Sequence, residues 1–325
     1  IHSPLIYYFM YKFAFIYLVK EDPKTWSDFL ISLELLYKKI LISLGCEYKI
    51  IIFCEGEPIK NVKNFITYLS KEKNITVHIK KISLQKYVKR KNSDPFIKNF
   101  PSAANCKLST SLGYRDMCKF FAIDVFFDKE LDDVEYFIRL DTDSFFISTT
   151  NKFISDLQKI DCDYGYIKNT IQKEDKAVSL GFGKCLYEFC YKNRANYFKN
   201  KKFIDLCQDA TLNPKIFYTN FEIVKLSWAR SNEHKKFLKY IVNSKGIYNY
   251  RWGDALIRYY TVNLLDSTIK ELKGCLYKHS GIYESRNRFQ VLLTKSYSKT
   301  RNRLYKNIYE KRLSKLDKLF LGVLN

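Results

Sequence analysis

The sequence predicts an α/β protein with a mixed, mostly parallel sheet flanked by helices. Two observations carry this: strand-like apolar runs alternate with helix-period runs from residue 13 onward, and a pair of acids closes a later strand of buried type. Phe13 to Val19 (FAFIYLV) reads as a buried strand. Trp26 to Leu44 repeats apolar residues at i, i+3 and i+4, the period of an amphipathic helix, and YKIIIFCEG at 48–56 is strand-like again. A second helix is expected over 65–71 and a third strand over 75–82 (ITVHIKKI). This β-α-β-α-β order implies right-handed crossovers and a parallel sheet, whose ligands bind at the carboxyl ends of the strands.

Residues 71–99 are rich in Lys and carry the Ser93-Asp94-Pro95 turn signal, so a surface connection is placed in their later part. Residues 113–127 (GYRDMCKFFAIDVFF) then read as a helix with one apolar face, and 134–140 as a strand that ends at Asp141.

Composition bounds the function. The chain has 325 residues, 46% of them hydrophobic, enough to bury a sizeable core. Against 34 acids stand 56 Lys and Arg, a net charge of +22, which favours polyanionic partners: nucleic acid, anionic lipid or nucleotide-linked substrates. The nine cysteines (46, 54, 106, 118, 162, 185, 190, 207 and 275) include no CxxC pair, which argues against a metal–thiolate site. Asn74-Ile75-Thr76 is the one N-glycosylation acceptor. The first residue is Ile1 rather than Met, so the chain reads as a fragment or processed form. The apolar run from Leu5 to Val19 is shorter than the about 20 residues of a membrane span.

FIRLDTDSFF at 137–146 sets Asp141 and Asp143 one residue apart between apolar runs. In an extended segment i and i+2 share a side, so both carboxylates would converge on one cation, with Thr142 turned away. Paired hard oxygens suit Mn²⁺ or Mg²⁺, which bridge the phosphates of a nucleotide. Three further segments hold candidates: Glu222 alone in the uncharged run YTNFEI, Arg251, Trp252 and Asp254 in YNYRWGDA, and His279 in YKHSG. Singly, each also fits a cap, a packed aromatic or a loop residue.

Together these segments resemble the fungal α-1,2-mannosyltransferases that use GDP-mannose. The family's YRHMCRF is similar to Tyr114-Arg-Asp-Met-Cys-Lys-Phe120, its EPD to Asp141-Thr-Asp143, its SNFEI to Thr219-Asn-Phe-Glu-Ile223 and its YERWGDA to 248–255. A late glycine-tyrosine-x-histidine resembles Leu276-Tyr-Lys-His279, with Leu276 in place of glycine. All five run in family order across roughly residues 13–283.

The resemblance implies a GT-A-like fold and a retaining, metal-dependent transfer of mannose from GDP-mannose to a glycan or glycoprotein hydroxyl. It implies Mn²⁺, with Mg²⁺ as the substitute, held by Asp141, Asp143 and His279. Arg115 and Lys20 are expected at the phosphates. Glu222 is expected on the sugar face opposite the leaving group, with Tyr114 beside it. From the residue types themselves, Trp252 is expected as a pyranose platform, Asp254 as a hydrogen-bond acceptor for acceptor hydroxyls or a base, and Arg251 as a substrate-binding residue or the structural partner of a nearby acid. A catalytic domain over 1–285 is expected, with a nucleotide-binding half (1–150) and an acceptor-binding half (151–285).

Residues 286–325 hold eleven Lys or Arg against two acids, and Leu304, Ile308, Leu313, Leu316 and Phe320 give them an amphipathic helical reading, suited to an anionic membrane surface or to packing on the domain. The family resides in the Golgi lumen behind an N-terminal anchor; a chain without one would be cytoplasmic. The readings set beside this one are a GT-A transferase with another sugar nucleotide, a degenerate transferase that binds without turnover, and a basic nucleic-acid-binding protein. No zinc finger, RNP motif or helix-turn-helix favours the last of these.

Overall fold

The computed structural model describes residues 11–20, 23–58, 63–64, 66–67, 70–71, 75–84, 112–167, 170–176, 178–193 and 202–279. In order, β1 (Tyr11–Val19), α1 (Pro23–Leu36), β2 (Tyr48–Cys54) and β3 (Val77–Lys81) make the opening alternation. Pro at the first helical position suits α1, because its missing N–H would have no partner there. The helical path runs on through a π turn at Tyr37–Leu41 to Leu44. Gly45 ends it in the left-handed region at φ 61°, where a side chain would be strained.

Next come α2 (Leu112–Ala122), β4 (Val134–Leu140), β5 (Ser144–Thr149), α3 (Asn151–Gln158), β6 (Tyr164–Ile167) and β7 (Ile171–Lys173). The chain then forms α4 (Phe182–Lys192), α5 (Lys202–Leu212), β8 (Lys215–Phe217), β9 (Phe221–Lys225), α6 (Asn232–Ser244), α7 (Asp254–Leu264), β10 (Ile269–Leu272) and β11 (Cys275–His279). The helix expected over 113–127 stops early. Ile123 leaves helical geometry (φ −136°, ψ −64°), and Asp124–Phe127 tightens into a 3-10 turn that buries Val125 and Phe126.

The main sheet has the strand order β10-β6-β9-β4-β1-β2-β3. The β1/β2, β1/β4, β2/β3 and β6/β10 pairs are parallel; β9 runs antiparallel between β4 and β6. The central strands read as unbroken apolar runs because both faces are covered. Phe13, Phe15, Tyr17 and Val19 of β1 join Ile50, Ile52, Tyr136 and Ile138 on one face with α1 and α3. Ala14 and Ile16 join Ile51, Phe53, Phe137 and Val224 on the other, under α2. A third apolar core gathers α2, α4, α5, α6 and α7 around Trp252.

The sheet crosses the expected boundary at residue 150, since β6, β9 and β10 complete what β1 to β4 begin. The described residues up to His279 belong to one compact unit. The Lys-rich connection beyond Leu84 and the basic segment 286–325 lie outside the described residues. Among the described residues, eight cysteines are free thiols and no helix is long and apolar enough to cross a membrane.

Candidate active site

From β1 the chain moves outward through β2 to β3 and returns to β4 on the other side of β1. Such a reversal leaves a crevice at the carboxyl ends of the strands. A cleft of about 310 Å³ opens there, lined by Leu18, Lys20, Glu55, Leu84, Gly113, Tyr114, Met117, Phe121, Asp141, Thr142 and Asp143.

Asp141 follows β4 directly, and the Ser144 N–H donates back to its carbonyl at 3.0 Å, so 141–144 is a tight turn rather than extended chain. The expected alternation, with Thr142 facing away, therefore does not occur: Thr142 also lines the cleft. What joins the acids to the histidine is pairing of β5 with β11, in register Ser144↔His279. His279 Nε2 thus lies 2.9 Å from Asp143 Oδ1 and 3.5 Å from Asp141 Oδ2, and the Tyr218 hydroxyl lies 3.3 Å from Nδ1. The three ligand atoms all fall within 4.8 Å of one another. Two carboxylates and an imidazole form a donor set that fits Mn²⁺ or Mg²⁺.

The electrostatics match a cation site. Burial alone would raise the Asp141 carboxyl, but Arg139 and His279 hold it below its ordinary value. Burial alone would lower His279, yet its hydrogen bonds to Asp141 and Asp143 raise it to about 9. In the metal-free site a proton on His279 supplies positive charge between the carboxylates.

Behind the turn lies a buried network that motif reading missed. Arg139 Nε and Nη2 each sit 3.0 Å from Asp141 Oδ1, Nη1 donates to Asp254 Oδ2, and the guanidinium stacks 3.7 Å from the Phe121 ring centroid. Thr219 Oγ1 donates to the same Asp254 oxygen at 2.6 Å. A lone Arg inside the strand FIRL was the available signal, because a charge in an apolar strand requires a partner.

Of the other expected site residues, Lys20 and Tyr114 line the cleft. The Tyr114 hydroxyl is pushed far above its ordinary value, first by the Cys118 thiol beside it and then by burial and Asp254; Arg251 stacks on its ring at 4.9 Å. Arg115 is a correction. The cleft-facing side of α2 carries 113, 114, 117 and 121, and Arg115 instead is buried and donates to the Tyr248 carbonyl.

Trp252 is a second correction. At 2% exposure it packs edge-on to Phe182, stacks with Tyr250 and donates to the Leu180 carbonyl at 2.9 Å, so it is core rather than a sugar platform. Asp254 is buried at the start of α7 with Arg139, not open to an acceptor. Glu222 is wholly buried: the register Arg139↔Glu222 places it on the α7 side, where Arg258 Nε approaches its Oε2 to 3.0 Å. Burial pushes its carboxyl up, offset in part by Arg258 and Arg139.

A switch-point cleft with a carboxylate–imidazole cluster on a mixed sheet defines a GT-A-like α/β fold. The chain matches the family described as glycolipid 2-alpha-mannosyltransferase over residues 44–311, most of its length, and belongs to that family. It is 32% identical over 149 residues to the probable mannosyltransferase KTR3 of Saccharomyces cerevisiae, covering 45% of this chain and 36% of that protein. With the glycolipid 2-alpha-mannosyltransferase 2 of Candida albicans it shares 26% over 163 residues, covering 45% of this chain and 32% of that one. These matches thus span about a third of each curated relative's length.

Among solved structures, the mannosyltransferase Ktr4p of S. cerevisiae in complex with GDP superposes with a TM-score of 0.67 at 20% identity, covering 84% of this chain and 72% of that one. The core-mannan synthase A of Aspergillus fumigatus, in its Mn/GDP form, gives 0.66 at 17% identity, covering 83% and 74%. At these identities the likeness establishes the fold.

Proposed function

We propose that this protein transfers mannose from GDP-mannose to a glycan hydroxyl with retention of configuration, using Mn²⁺ held by Asp141, Asp143 and His279. The observation that carries the reading is the convergence of those three side chains at the mouth of the switch-point cleft, in a member of a mannosyltransferase family. GDP in both solved structures, and manganese in that of the core-mannan synthase A, support a guanine nucleotide donor and Mn²⁺.

When bound, the cation supplies charge that stabilises the departing diphosphate. The chain's own groups do the rest. Lys20, at the end of β1, adds positive charge along the phosphates. The Tyr114 phenol stays protonated at any working pH and donates a hydrogen bond in the cleft. Glu222, wholly buried and ion-paired with Arg258, acts as fixed negative charge beneath the site rather than as a nucleophile. That placement favours front-face attack, in which the acceptor oxygen reaches the anomeric carbon on the side the diphosphate leaves. The acceptor proton then passes to a diphosphate oxygen.

The test is Mn²⁺-dependent turnover across a panel of sugar nucleotides by wild type and Asp143→Ala. Selective use of GDP-mannose, abolished in the variant, supports the reading. Selective use of another sugar nucleotide keeps the fold and the metal site but discards mannose.

A further inference from the structure

Glu55 follows β2 and lines the cleft, yet the family motifs do not include it. The residue is partly buried, and no described residue hydrogen-bonds or ion-pairs with its carboxylate. The other acids nearby are engaged: Asp141 and Asp143 with His279, and Glu57 with Lys63 and Lys81 at 3.0 and 3.4 Å. A carboxylate with no protein partner in a ligand cleft is available to accept hydrogen bonds from what binds there.

Register fixes its distance from the metal-site acids. Val19 pairs with Cys54 on one side of β1, and Ile16 pairs with Arg139 on the other. Glu55 and Asp141 therefore stand at the same end of strands two spacings apart, about 10 Å across the sheet, with a two-residue stagger of about 7 Å along it. With diphosphate at Asp141 and Asp143, that separation puts the nucleoside base over the end of β2. Leu18, Leu84 and Met117 of the same cleft lining supply apolar contact for a flat ring.

On the GDP-mannose reading above, we infer that Glu55 is the specificity residue for the base, accepting N1–H and the 2-amino group of guanine in two parallel hydrogen bonds. A carboxylate offers two acceptors and no donor, and the guanine edge offers two adjacent donors. Uracil presents one N–H between two carbonyl oxygens, and adenine sets a ring-nitrogen lone pair beside its amino group. Either base brings an acceptor against a carboxylate oxygen.

The test compares binding of GDP, IDP (which lacks the 2-amino group), UDP and ADP to the full chain with Mn²⁺ by calorimetry, in wild type and Glu55→Gln. Wild type should bind GDP about 10- to 100-fold more tightly than IDP, the range for one hydrogen bond to a charged group. Glu55→Gln should bring that ratio close to one and hold UDP binding at or above its wild-type strength, because the amide can accept from uracil N3–H and donate to the neighbouring carbonyl; retained UDP binding also shows that the variant is folded. A GDP preference that survives Glu55→Gln overturns the inference and leaves the donor reading in place. A wild type that prefers UDP or ADP overturns the donor reading itself.

Discussion

His279 Nε2 stands 2.9 Å from Asp143 Oδ1 although the two residues lie far apart in sequence, because β11 pairs with β5, which begins at Ser144, the residue after Asp143. The pairing of a two-stranded ribbon, not local sequence, therefore builds the cation site. Its proton chemistry gives the first prediction. His279 has its folded-state pKa raised from 6.5 to about 9, so its contribution to stability is complete below pH 6.5 and lost as pH rises through about 9. The metal must displace that proton. Mn²⁺ affinity should climb with pH up to about 9, the folded-state value, by up to about tenfold per unit, so throughout the window from 6.5 to 9, and level off above. The melting temperature of metal-free protein should fall across the same window. Titration of Mn²⁺ by paramagnetic resonance at each pH checks this, and a flat profile would remove His279 from the ligand set.

Arg139 should govern how Asp141 is presented. Its Nε and Nη2 hold Oδ1, which leaves Oδ2 facing His279. Arg139→Met strands the buried Asp254 carboxylate and leaves Asp141, at the cleft, with His279 alone; losing the buried Arg139–Asp254 pair should cost about 3–5 kcal/mol of stability. Arg139→Lys keeps the charge but not the fork. It should retain more stability while lowering Mn²⁺ affinity about 10- to 100-fold, as loss of an outer-shell partner does. Denaturation curves and metal titrations on the two variants separate the effects.

Much of this was legible in the residues. The apolar runs of β1, β2 and β4 are long and uncharged enough to announce strands buried on both faces, and Asp141 and Asp143 stand where such a sheet ends. The orientation of Arg115, Glu222 and Trp252 was not. Each lies in a motif, but which way it points depends on helix phase, strand register or packing against segments distant in sequence. Register sends Glu222 toward Arg258, and the packing of α4 against the 250–252 turn encloses Trp252.

Glu222 separates two mechanisms by experiment. A nucleophile replaced by Gln loses nearly all turnover while the fold stays as stable as before. A buried partner of Arg258 behaves differently, because Glu222→Gln leaves the Arg258 charge uncompensated and should cost about 3–5 kcal/mol. The expected outcome is a lowered melting temperature with residual transfer at low temperature. Full stability with no detectable turnover would restore the nucleophile.

Trp252 should act through packing alone. Gly246 meets its ring so closely that a Cβ there would lie 2.0 Å from Cζ3, and the six-membered ring has no room to retreat between Phe182 and Tyr250. Gly246→Ala should therefore destabilise by at least about 1–3 kcal/mol through overpacking, and Trp252→Ala by about 3–5 kcal/mol through the cavity it leaves. Since the indole is buried and its N–H is held by the Leu180 carbonyl, Trp252→Phe should leave the acceptor KM near wild type while lowering the melting temperature. A large rise in acceptor KM at unchanged stability would instead make Trp252 a sugar platform, and would require the 250–252 turn to open when the acceptor binds.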